Sequence, residues 1–171
     1  HNGYLGADGG RMYGHGICTL ALVEAYGMMA READNQTIKE ALMLALKLTL
    51  NAQSKQPGPH LGGWRYEPTS RDADLSVAAW QILTLRAAQN CRLPVPDEAV
   101  TQARDYVRRT FHPGGGGYSY QGGGPSPAMR AAGVVSMLAL KDEDNEKDQE
   151  QVSQSGAFLL QVDPGAGRHF Y

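Results

Sequence analysis

Residues 61–88 read LGGWRYEPTSRDADLSVAAWQILTLRAA, a loop rich in glycine, aromatic and charged side chains that runs directly into an alanine- and leucine-rich helix. The same organisation stands at 6–27 (GADGGRMYGHGICTLALVEAYG) and at 113–141 (PGGGGYSYQGGGPSPAMRAAGVVSMLALK). Setting Gly14, Asp74 and Met129 against one another gives spacings of 60 and 55 residues and brings Leu20, Trp80 and Val135 to one helix position. Such a period marks a stack of similar units, each a loop and two helices. The units run approximately over 1–56, 57–113 and 114–164, with a fourth starting near Gly165, all within a single domain spanning 1–171.

The two helices of each unit differ in character. The first ones, expected over Ile17–Met29, Ser76–Ala88 and Ala131–Leu140, are small or apolar on nearly every side, as helices surrounded by protein are. The second ones, over Asn35–Gln53, Asp97–Phe111 and Glu146–Val162, carry a narrower apolar stripe, for example Ile38, Leu42, Ala45, Leu46 and Thr49, and have one wet face. Asp97 after two prolines reads as an N-cap, and Asn35 or Thr37 as the opening of the first outer helix. Strand signals are confined to WRYEP and YSY, short enough only to pair locally. The expected class is all-α, with six helices in three hairpins.

Composition narrows the partners. A net charge of −2 with no Lys/Arg cluster gives no basis for nucleic-acid binding. No stretch approaches the roughly 20 apolar residues of a membrane span. The charged run Lys141–Glu150 reads as a solvated turn between helices. Two cysteines do not make a disulfide framework, and Cys18 reads as a small hydrophobe within a helix.

The glycine-rich loop, Gly62-Gly63-Trp64 after Gln53, the aspartate-bearing segment and the Ala-rich inner helix together resemble the repeats of squalene and terpenoid cyclases and of protein prenyltransferase β subunits. That resemblance covers essentially the whole chain and implies an α-α toroid. Gln53 with Gly62-Gly63-Trp64 is a loosened form of the cyclase QW repeat, and the third unit places Phe111 and Tyr118 in the corresponding positions. A full toroid of this family takes about six hairpins. Three leave the ring open, so the rest of a longer chain or self-association is expected to complete it.

The resemblance also singles out Asp72 and Asp74. Class II cyclases protonate an alkene from the middle aspartate of an Asp-x-Asp-Asp motif. Asp74 matches that aspartate and Asp72 the first, while Leu75 stands where the last one belongs. Alkene protonation needs a neutral, strongly acidic carboxyl tuned by its neighbours, and leucine offers no such tuning. The alternative is structural: Asp74 caps the helix that follows, and Asp72 pairs with Arg71 or Arg65. Among the loop aromatics, Trp64, Tyr66 and Tyr120 are candidates to face a ligand, since such rings stabilise cations in the cyclases; wedging between hairpins is the alternative.

His15 is a further candidate for ligand binding, near Cys18 on one helix face. Together with His60 and His112 in the other loops it could offer imidazole to zinc, as a histidine does in the prenyltransferases. No pair has a ligand spacing, and neither a metal nor another cofactor is assigned. The Cys-Gly-Glu-Gln thioester signature, G-x-S-x-G, H-E-x-x-H and the P-loop are all missing. The expectation is a cyclase/prenyltransferase-like toroid that acts as a non-catalytic binding or scaffold module for an apolar, isoprenoid-like ligand or a protein partner. The alternative is an isoprenoid-handling enzyme domain using Asp74 as acid.

Overall fold

A computed structural model describes residues 2–140 and 145–162, which form six helices and one two-stranded ribbon. The fold is all-α. The helices are α1 (Arg11–Ala25), α2 (Glu32–Ala52), α3 (Leu75–Asn90), α4 (Asp97–Thr110), α5 (Pro127–Ala139) and α6 (Glu146–Leu159). Strands β1 (Phe111–His112) and β2 (Gly117–Tyr118) pair antiparallel, Phe111 opposite Tyr118.

Helices α1, α3 and α5 lie side by side with α3 in the middle, and α2, α4 and α6 pack against them as a second layer. Nine of the sixteen residues of α3 are buried, among them Leu75, Val77, Ile82 and Leu85, as its all-round apolar sequence requires. Helices α1 and α5 depart from the expectation of full enclosure. Ile17 and Cys18 on α1, and Val135 and Leu138 on α5, are exposed, because each of these helices has an inner-row neighbour on one side only. Cys18 is therefore a surface thiol rather than a packed one.

Two polar side chains of α3 grip the backbone of α1. Gln81 Nε2 donates to Met12 O at 2.7 Å, and Thr84 Oγ1 to Gly16 O at 3.1 Å. The helices approach closely enough that a Cβ on Gly16 would stand 2.9 Å from Trp80 Cβ. The contact of α5 with β2 is as tight: a Cβ on Gly133 would lie 2.1 Å from Tyr118 Cγ. Gly62 meets the other glycine requirement, a φ of +86° with its Cα pressed on the backbone of Gln102.

Several element ends differ from the sequence expectation. Helix α1 begins at Arg11, before the Gly-His-Gly segment, because Gly14 and Gly16 serve close packing inside the helix rather than a loop. Helix α2 opens at Glu32 after Arg31; Asn35 lies within it and accepts from the N–H groups of Gly27 and Met29. Pro96 is the N-cap of α4, and Asp97 is its first helical residue, where its charge complements the helix dipole. Phe111 has left α4 for β1. Of the charged run, residues 141–144 lie outside the described residues, and Asn145 caps α6, so 146–150 are helix rather than turn. The segment from Gly165, expected to open a fourth unit, lies outside the described residues. No helix among the described residues is long and apolar enough to cross a membrane.

Candidate functional site

An apolar groove of about 640 Å³ runs along the open face of α3, between α1 and α5. Trp80, Leu83, Met129 and Val135 form its walls, and small residues Ala79, Ala131 and Ala132 keep it open. Tyr13 and Ser76 supply the hydroxyl groups of the lining.

Behind this polar end lies a cluster built by the loop before α3. Asp74 is fully buried and caps α3, its Oδ1 accepting from Val77 N at 2.9 Å and from Ser76 Oγ at 2.5 Å. With its proton committed to Asp74, the Ser76 hydroxyl accepts from Tyr13 Oη, so the donors run in order from Tyr13 to Ser76 to Asp74. Burial raises the Tyr13 hydroxyl above the usual phenol range, which keeps this donor chain protonated.

Arg65 holds both aspartates, its Nε at 3.5 Å from Asp72 Oδ2 and its Nη1 at 3.5 Å from Asp74 Oδ2. Asp72 therefore pairs with Arg65, one of its two expected partners, and also accepts from Gln121 Nε2. The second oxygen of Asp74 makes no hydrogen bond; the guanidinium beside it is its only compensation. The Arg65 guanidinium lies 4.6 Å from the centre of the Tyr66 ring and 5.7 Å from that of Tyr120. The two tyrosine hydroxyls bond to each other, and burial, followed by that bond, raises the Tyr120 hydroxyl far above the usual range. The structure thus brings together Asp72, Asp74, Tyr66 and Tyr120, with Tyr13, Ser76 and Arg65 joining them.

His15 and Trp64 stand apart from this cluster. His15 is fully buried; its Nδ1 accepts from Leu5 N at 3.3 Å, so Nε2 bears the proton and donates to Thr49 Oγ1 at 3.0 Å. With both nitrogens engaged inside the protein it is closed to a ligand. Burial lowers its pKa to about 4. Trp64 is buried as well and donates its indole N–H to Thr49 O at 2.8 Å, which makes it the wedge between helix pairs rather than a ligand-facing ring. Among the described residues no three His, Cys, Asp or Glu side chains converge as a metal site would need.

Ser76 carried no signal in the sequence that marked it, and Tyr13 stood there only as one of several loop aromatics able to face a cavity. Tyr13 sits in an ordinary loop-like stretch, and only the unexpectedly early start of α1 turns it towards Ser76, 63 residues away in sequence. No protein-family model, curated protein or solved structure matches the chain.

Proposed function

We propose that the chain is part of a cyclase/prenyltransferase-like α-α toroid of repeated helix pairs, and that the groove along α3 is the wall of its cavity, binding an apolar, isoprenoid-like ligand without turning it over. The observation that carries this reading is the pairing of an apolar groove with an acid that cannot reach it. Asp74 is sealed behind Ser76 and Tyr13, and its reachable oxygen is already committed to capping α3. A general acid must come within hydrogen-bond reach of the atom it protonates. Leu75, standing in the place of the motif's last aspartate, is buried and adds no acidity. The single rows of exposed apolar residues on α1 and α5 fit a ring completed by further helix pairs or by a second copy.

The test uses the two tryptophans as reporters, because Trp80 lines the groove and Trp64 is buried away from it. Titration with farnesol should change Trp80 emission saturably, and Val135→Asp, which places a charge in the groove, should abolish the change. Emission that stays constant up to the solubility limit of farnesol, or responds equally in Val135→Asp, would overturn the binding reading.

One observation favours the enzymatic alternative: Asp74 keeps Oδ2 without a hydrogen bond, while its Oδ1 stands at the end of a donor chain that opens on the groove. Incubation with squalene and with prenyl diphosphates, comparing the native chain with Asp74→Asn, decides it. Product from the native chain that is lost in the folded variant would establish catalysis by Asp74; no product, or equal product, would exclude Asp74 as the acid.

A further inference from the structure

A second, smaller pocket of about 150 Å³ lies on the other side of the Asp72–Asp74 loop, where the end of α4 turns into β1. Its polar lining includes His60, Tyr106, Arg109, His112, Ser119 and Gln121, while the hydroxyls of Thr110 and Tyr120, also in the lining, are bonded to Val107 O and to Tyr66. What distinguishes it is the bookkeeping of donors. Tyr106 is 2% exposed, and its hydroxyl, which has no hydrogen-bond partner among the described residues, is open to the pocket rather than sealed in the core. His60 Nδ1 accepts from Ala73 N at 3.2 Å, and His112 Nδ1 accepts from Gly115 N at 2.9 Å. In the neutral rings the proton of each is therefore on Nε2, and neither Nε2 has a protein partner. Arg109 spends its Nε and Nη2 on the carbonyls of Pro59 and Leu61 and keeps Nη1 unspent.

The free groups of Tyr106, His60, His112 and Arg109 can thus all donate, the last from a permanent cation. No Asp or Glu lines the pocket. The nearest carboxylates, Asp72 and Asp74, are held on the far side by Arg65. Ser119 Oγ donates to Gly123 O and the Gln121 amide N–H groups donate to Asp72 and Ala73 O, so these two side chains have spent their donors and turn only neutral oxygens to the pocket. At roughly 30 Å³ per water the space holds about five waters, room for one small anion and too little for a ligand of the size the α3 groove takes.

We propose that this pocket binds one small oxyanion of the phosphate type, with Tyr106 donating from its floor and Arg109 supplying the charge. The site is separate from the α3 groove and does not depend on what that groove holds. Charge-assisted hydrogen bonds are the strong ones, and an oxyanion can accept from all four of these groups at once.

Imidazole nitrogen resonances of His60 and His112, followed during titration with sodium phosphate at ionic strength held constant with sodium chloride, test the assignment. The expected result is a saturable shift of both rings. Tyr106→Phe removes only an unpartnered hydroxyl, so it should melt at the native temperature or above while weakening phosphate about tenfold. Arg109→Gln, checked for an unchanged circular dichroism spectrum, should weaken it at least as much. Failure of both rings to respond saturably, an equal response to chloride, or an affinity for phosphate within twofold of native in a folded Tyr106→Phe would overturn the proposal. Each of these outcomes is independent of farnesol binding in the other groove.

Discussion

At the scale of single residues the most consequential group is His15. Its burial between the N-terminal segment, α1 and α2 makes the neutral ring the only form the folded chain holds comfortably. The folded pKa of about 4 lies below the ordinary 6.5, so between these values the unfolded chain binds a proton that the folded one refuses. Stability from this group is full above pH 6.5 and is lost as pH falls to about 4, a change of about 3 kcal/mol if the shift is fully expressed. Urea midpoints measured from pH 7.5 to 4.5 should fall for the native chain more steeply than for His15→Asn. Parallel curves would remove His15 from the account of acid sensitivity. The sequence could not signal this role: a histidine between two glycines looks like a loop residue, and only contact with Thr49, 34 positions away, buries it.

Among elements, α5 shows how packing overrules propensity. Glycine in mid-helix costs about 1 kcal/mol against alanine, so Gly133→Ala would stabilise an isolated helix. Here the new Cβ would stand 2.1 Å from Tyr118 Cγ and 2.6 Å from Tyr118 Cβ, atoms that cannot swing away because Tyr118 is fully buried in β2. The clash wins, and Gly133→Ala should lower stability by about 1–3 kcal/mol in chemical denaturation. A variant as stable as native would mean that β2 gives way easily.

The same competition explains what was legible. All six helices stood in the sequence as apolar periodicity, and Asp74 as a cap was one of two readings that Asp-Ala-Asp-Leu allowed. The start of α1 was hidden, since Gly14 and Gly16 carry the same letters whether they bend a loop or admit a neighbouring helix. Of the candidate site, Asp72, Asp74, Tyr66 and Tyr120 were visible through their chemistry and the family resemblance. Their links to Tyr13 and Ser76, and the separation of Trp64 and His15 from them, depend on contacts between residues far apart in sequence, which periodicity does not encode.

For the whole molecule the decisive feature is the row α1, α3, α5, joined by side chains of one helix bonded to the backbone of the next. Gln81 and Thr84 hold the carbonyls of Met12 and Gly16; Met12 N donates to Tyr66 O; Trp64 and Gln53 reach Thr49 O and Ala99 O. Every one of these bonds crosses between the first helix pair and the rest of the chain. The covalent link between the same two parts is the exposed stretch Lys55–Pro59. Peptide-bond continuity there contributes little to keeping the parts together. Trypsin cleavage after Lys55 should leave a nicked protein that elutes as one species with native circular dichroism, and the two pieces made separately should find each other when mixed. Separation of the fragments on the column would show that the connection, and not the interface, holds the first pair in place. If they stay joined, the first pair recognises the rest of the chain as a separate molecule would, and the tether at Lys55–Pro59 serves only to raise the local concentration of one part at the other.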